Sequence, residues 1–176
     1  MPARATGGLT RYLWASPNTL LGAGLATLAV AGGGFRIVAG VLEAHGPLLR
    51  WVLRRFVPLK GGVAAMTLGH VVVGCDARAL DETRDHERAH VAQCERWGPW
   101  FLPAYLLSSL WALARGGDPY LDNAFEREAF AAERRAHRVR AVVATREQSG
   151  GGDDAPGPRA AGREPQAKAP PASRED

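Results

Sequence analysis

Lysine is almost missing from this chain. Lys60 and Lys168 are the only two among 22 basic side chains, and arginine carries the rest. The arginines are scattered, with no basic run interleaved with aromatics, so the charge pattern argues against a nucleic-acid partner. Membrane lipid with anionic head groups suits it at least as well. Cysteine is as scarce. Cys75 and Cys94 stand alone, open to one disulfide or to two buried thiols, and at no zinc-ligand spacing from each other. No side chain between Arg11 and Arg36 carries a charge. Residues 147–176 contain no aromatic and no branched aliphatic side chain, so they cannot bury enough apolar surface to offset the entropy of ordering. There is no internal repeat.

These absences divide the 176 residues into three stretches. Residues 147–176 read as a disordered tail. That tail has four basic and six acidic side chains, which leaves the remainder of a chain of formal charge +4 near +6. Residues 1–34 read as an apolar N-terminal helix with three possible uses. The uncharged stretch is long enough to cross a bilayer, and membrane association through such an anchor is the main expectation. Arg4 and Arg11 ahead of a short apolar run, with Ala29-Val30-Ala31 as a cleavage site, would instead make a signal peptide. Its glycines and alanines would also suit a helix packed within the domain. Residues 35–146 are then one domain of ordinary size.

Within that domain the pattern is strand-like first and helical afterwards, which predicts an α+β fold. Residues 35–42 and 66–73 read as strands, and residues 48–57 are open to strand or helix. Gly46-Pro47 and Gly61-Gly62 read as turns. A small antiparallel β-meander of two or three strands is expected, followed by a helical core. Asp76 offers an N-cap for a helix over Ala77–Trp97, which Gly98 and Pro99 stop. On it, Arg84, Arg88 and Glu95 read as solvated. The apolar segment 97–114 carries Pro99, Pro103, Ser108 and Ser109, which favour a packed or interfacial helix over a membrane crossing. Gly116-Gly117-Asp118-Pro119 is a turn. Asp122 or Asn123 can cap a last helix over 124–145 with Phe125, Ala129, Ala132, Ala136 and Val139 as its apolar stripe.

The middle helix carries the chemistry. His86-Glu87-Arg88-Ala89-His90 reads H-E-x-x-H. Residues four apart stack on one face of a helix, so two imidazoles so spaced can close on one Zn²⁺. Glu87 lies about 100° further round, where its carboxylate reaches a water beside the metal rather than the metal itself. A catalytic zinc needs a third protein ligand and one open position. No histidine stands six residues after His90, since that position is Arg96. A glutamate on the last helix is the alternative, and the helical wheel does not choose between Glu126 and Glu128. Glu126 also occupies the capping-box position after Asn123, a purely structural use, and Glu128 would by default sit on the surface. Gln93, one turn beyond His90, could support a ligand or simply line the helix face. Asp85 could do the same, and His45 reads as a loop residue. A di-iron bundle built on Glu87-x-x-His90 would need a second E-x-x-H, and none exists: Glu133 and His137 are four apart.

H-E-x-x-H followed by a helix with E-x-x-A resembles the gluzincin-type zinc metallopeptidases. The chain also resembles small bacterial membrane-associated proteins in which H-E-R-x-H-V-x-Q precedes an aromatic stretch and N-x-F-E-R-E-A. The likeness covers residues 67–130. It implies a zincin-like core, Glu126 as third ligand and Ala129 as the small residue beneath the site. Two departures bear on the substrate: Phe130 stands where gluzincins often carry an acid, and the chain is short for an extended cleft.

The expected activity is zinc-dependent hydrolysis of an amide in a peptide or protein, with Glu87 as general base. Tyr105, Tyr120, His70 and His137 are the candidate oxyanion donors. The strand ending near Val73 is either an edge that pairs with an extended peptide or an internal strand. The competing expectation is a non-catalytic membrane-associated protein in which H-E-x-x-H is structural or accidental.

Overall fold

The computed structural model describes residues 5–57 and 62–150, so residues 151–176 of the expected tail and Gly61 of the expected turn lie outside the described residues. Met1–Arg140 belong to one unit and Ala141–Asp176 to a second, of which only the end of one helix is described. The first unit is α+β, and it holds the N-terminal helix together with the sheet.

Strands β1 (Gly34–Val38) and β2 (Val41–His45) form an antiparallel hairpin with Val38 opposite Val41. Ala39 and Gly40 between them take φ of 46° and 80°. This left-handed pair is what a two-residue hairpin turn requires. Strands β3 (Ala65–Leu68) and β4 (Val71–Gly74) form a second hairpin, turned at Gly69 with φ 65°. Each run expected to be one strand is thus a pair of strands. The antiparallel meander is also corrected, because β2 and β4 pair in parallel, from Leu42 opposite Val71 to His45 opposite Gly74. The sheet order is β1-β2-β4-β3. A parallel junction needs a crossover, and α2 (Pro47–Arg55) lies in it, with Pro47 in its first turn and Leu49 and Leu53 buried.

The membrane anchor is overturned. Among the described residues, no helix is long and apolar enough to cross a membrane. Helix α1 (Ala5–Ala26) is diluted by Gly, Ser, Thr, Asn and an internal Pro17, and one of its faces packs on protein. Ala15 and Ala26 are buried, as is Ala29 in the short 3-10 turn that follows. Asn18 Nδ2 donates to Gly98 O at 2.7 Å, and Thr19 Oγ1 accepts from the His70 amide at 3.1 Å. A Cβ on Gly22 would stand 2.7 Å from Leu68 O, so the small residues let the helix approach the β3–β4 hairpin closely.

Asp76 and Gly98 bound helix α3 (Ala77–Trp97) as its sequence predicts. Asp76 Oδ1 accepts from Ala79 N at 2.9 Å, and Gly98 turns out of the helix at φ 56°. Three of its charged residues are not solvated as expected. Arg84 reaches the buried Glu43 on β2 at 3.1 Å, and Arg36 holds the same carboxylate at 2.6 Å. Arg88 donates to Val38 O and Ala39 O, which fastens the helix to the first hairpin turn. Glu95 accepts from His70 Nε2 at 3.1 Å. Cys75 and Cys94 are both free and buried, and burial pushes the Cys94 thiol up to about 12. Helices α4 (Phe101–Ala114) and α5 (Ala124–Gly150) complete the chain order.

Candidate metal centre

Two helices supply three converging donors. His86 and His90 lie one turn apart on α3, and Glu126 lies in the first turn of α5; all three are buried. His86 Nε2 is 3.2 Å from His90 Nε2 and 3.0 Å from Glu126 Oε2, while His90 Nε2 is 3.3 Å from Glu126 Oε1. Two ligands each about 2.05 Å from a tetrahedral zinc stand about 3.3 Å apart. The observed spacings therefore fit a small tetrahedral cation. Among the described residues, this is the only trio of His, Cys, Asp or Glu that converges so.

The tautomer of His90 points the same way. Gln93 is fully buried, and its Nε2 donates to Phe125 O at 3.0 Å and to Glu128 Oε2 at 3.1 Å. Those donations fix the amide so that Oε1 faces His90 Nδ1 at 2.9 Å. The Nδ1 must then carry the proton, which leaves the Nε2 lone pair of the neutral ring aimed at the other two donors. In that tautomer His90 Nε2 and Glu126 Oε1 present lone pairs to each other across 3.3 Å, which a positive charge between them would relieve. Burial works against ionising Glu126, yet its contacts with His86, His90 and the Tyr105 hydroxyl hold its carboxyl down at about 2. Burial likewise disfavours the charged form of His90, and contact with Glu126 and Glu87 overrides it and raises its pKa. The site asks for a proton or a metal ion.

Glu126 is oriented from both ends. Asn123 caps α5, its Oδ1 accepting from Phe125 N at 2.9 Å while its Nδ2 donates to Ser109 Oγ at 2.7 Å. Glu126 does not close a capping box: its oxygens meet His86, His90 and Tyr105, whose hydroxyl donates to Oε1 at 2.6 Å. Glu128 pairs with Arg96 at 2.7 Å and supports Gln93, and it is not a third ligand in this arrangement. Ala129 is fully buried, and the Phe130 ring packs tilted against the His86 ring, 4.7 Å between centroids.

Glu87 stands beside the trio without joining it. Thr67 Oγ1, on β3, lies 2.7 Å from Glu87 Oε2 and donates to it. Burial raises the Glu87 pKa against the opposing pull of His90, Thr67 and His86. Nothing in the sequence marks Thr67, which reads as one more residue of a β-branched run. A cavity of about 600 Å³ opens on His86 and Glu87 and is lined also by Tyr120, Phe130 and residues of the β3 end of the sheet.

The oxyanion candidates separate by position. Tyr120 lines this cavity and has Glu126 within its reach, whereas Tyr105 donates to Glu126 at 2.6 Å and does not line the cavity. His70 does not line it and is engaged elsewhere: it stacks on Tyr12 at 3.9 Å and bonds Glu95. His137 is exposed and stands 3.9 Å from Glu133 and 4.0 Å from Asp85. Asp85 pairs with Arg140 and orients neither His86 nor His90. Glu133, two turns after Glu126 on the same face of α5, is not singled out by any sequence motif. Its Oε2 stands 3.5 Å from His86 Nδ1, a nitrogen with no hydrogen-bond partner. Comparison with protein-family models, with curated proteins and with solved structures gives no match.

Proposed function

We propose that the chain is a zinc-dependent hydrolase acting on peptide bonds. The observation that carries this reading is the convergence of His86, His90 and Glu126 at tetrahedral-ligand spacing, with Glu87 alongside and a cavity in front. Two nitrogens and one carboxylate are a donor set suited to zinc. A divalent cation there would acidify a water and polarise a substrate carbonyl. Glu87, beside the trio but outside it, is the residue that would hold and pass on the proton there as general base and acid. Its buried setting, which favours the protonated form, suits a group that must hold a proton as well as take one. Tyr120 is the donor best situated for the oxyanion. Internal strand β4 is unavailable to a peptide, but β3 is the edge of the sheet, and Ala65 at its start lines the cavity. An extended segment can add to such an edge. The pairing of H-E-x-x-H with E-x-x-A, in which the chain resembles gluzincin-type peptidases, agrees with this reading.

Elemental analysis of the purified chain beside His86→Ala tests the metal. One zinc per wild-type chain and none in the variant are expected. Equal zinc in both would remove the proposal. Gln93→Leu is expected to weaken zinc by roughly 10- to 100-fold, because the proton on His90 Nδ1 loses its acceptor. Competition with a coloured chelator measures this, and an unchanged affinity would deny Gln93 its supporting role.

A further inference from the structure

The cavity in front of His86 and Glu87 has a charge that the chain as a whole does not. The chain is formally +4, yet among the described residues the cavity is lined by Glu82, Asp118 and Glu133 and by no lysine or arginine. The remaining lining is largely apolar and includes Val63, Leu121 and Phe130. The carboxylates are not alike. Glu82 is exposed at the rim and pairs with Arg78 at 2.6 Å. Asp118 Oδ1 accepts from Tyr120 N and Leu121 N at 2.8 and 2.9 Å, which shapes the turn that brings Tyr120 to the cavity. Glu133 lies deeper, three-quarters buried, beside the unpartnered Nδ1 of His86, whose side chain is 8% exposed and also lines the cavity. A second metal does not account for these acids, since no other trio of ligating side chains converges among the described residues.

We propose that this cavity takes a substrate side chain with an apolar stem and a cationic head, lysine or arginine, with Glu133 as its counter-ion. Such side chains lay their methylenes along apolar walls while the charge seeks a carboxylate. A cavity of about 600 Å³ has room for a residue of that length. This inference rests on the reading of the site as a peptide-hydrolysing centre and adds to it a class of peptide.

The test uses the full chain carrying Glu87→Gln, loaded with zinc, so that a bound peptide is not turned over. Fluorescein-labelled Ala-Ala-Lys-Ala-Ala is titrated by anisotropy beside the same peptide with norleucine or glutamate at its centre. Lysine is expected to bind at least about 10-fold more tightly than norleucine, the size of one well-made charge pair, and glutamate more weakly than both. Added salt should narrow the gap. Glu133→Gln in the same background, compared at equal zinc loading because Glu133 also stands beside His86 Nδ1, should remove most of it while leaving norleucine affinity unchanged. Norleucine binding as well as lysine, a lysine preference that survives Glu133→Gln, or no binding of the lysine peptide at about millimolar concentration would each overturn the inference. Zinc measured on the same sample separates the two readings. A zinc-free chain defeats both, and a zinc-bearing chain indifferent to lysine defeats only this one.

Discussion

Glu87→Gln is expected to retain one zinc per chain and to lose peptide hydrolysis by about 10²- to 10⁴-fold. The retention follows from geometry, because Glu87 is not among the three convergent donors. The amide has the shape of the carboxylate, and its oxygen can still accept from Thr67 Oγ1, so the local packing persists. What it cannot do is take a proton. The loss should fall on kcat more than on KM, since Glu87 acts on the water rather than on substrate binding. Zinc analysis and hydrolysis of a fluorescent casein, run on both chains, read the two halves separately. A variant that still hydrolyses would show that another group is the base. Zinc in both chains with hydrolysis in neither would point to a structural site.

Legibility in the sequence depends on how far apart the cooperating residues lie. The α3 boundaries follow from Asp76 and Gly98-Pro99, which act on backbone groups within one turn of themselves, and structure and sequence agree there. His86 and His90 converge because helical spacing alone stacks them. The hairpins are harder. Ala39-Gly40 and Gly69-His70 turn the chain in two residues without an Asn, Asp, Ser or Pro to mark the turn, so each hairpin reads as one strand. The parallel β2–β4 junction is a long-range pairing that no local pattern encodes. Helix α1 reads as an anchor for a physical reason: glycine and alanine suit close packing whether the neighbour is lipid or a sheet, and hydrogen bonds to other elements, among them those of Tyr12, Asn18 and Thr19, mark the sheet. Arg84 and Arg88 read as solvated because their partners, Glu43 and the 38–39 carbonyls, lie more than 40 residues away in the chain. The choice between Glu126 and Glu128 cannot be made on the wheel, since it turns on Tyr105 and Asn123 fixing the first turn of α5.

Glu126→Ala is expected to abolish the stabilisation that zinc confers. Structural zinc sites bind with about 10–16 kcal/mol through four ligands, so one ligand is worth roughly 3 kcal/mol, or a loss of about 100-fold or more in affinity. Zinc free at about 100 times the wild-type Kd would stabilise the native wild-type chain by about 2.7 kcal/mol, which for a domain of this size raises Tm by roughly 5–11 °C. The same zinc only reaches the Kd of the variant and adds about 0.4 kcal/mol, or roughly 1 °C. Without metal the variant also differs from the wild type. It deletes the carboxylate that His86, His90 and Tyr105 all address, and leaves two buried imidazoles and a hydroxyl without that partner. Its apo form should therefore melt below the apo wild type, and zinc should not close the difference. Glu128→Ala is the control, because Glu128 meets Gln93 and Arg96 rather than the two histidines. It should keep most of the zinc-induced shift. If Glu126→Ala were stabilised by zinc as strongly as the wild type, and Glu128→Ala were not, the third ligand would be assigned to the wrong glutamate.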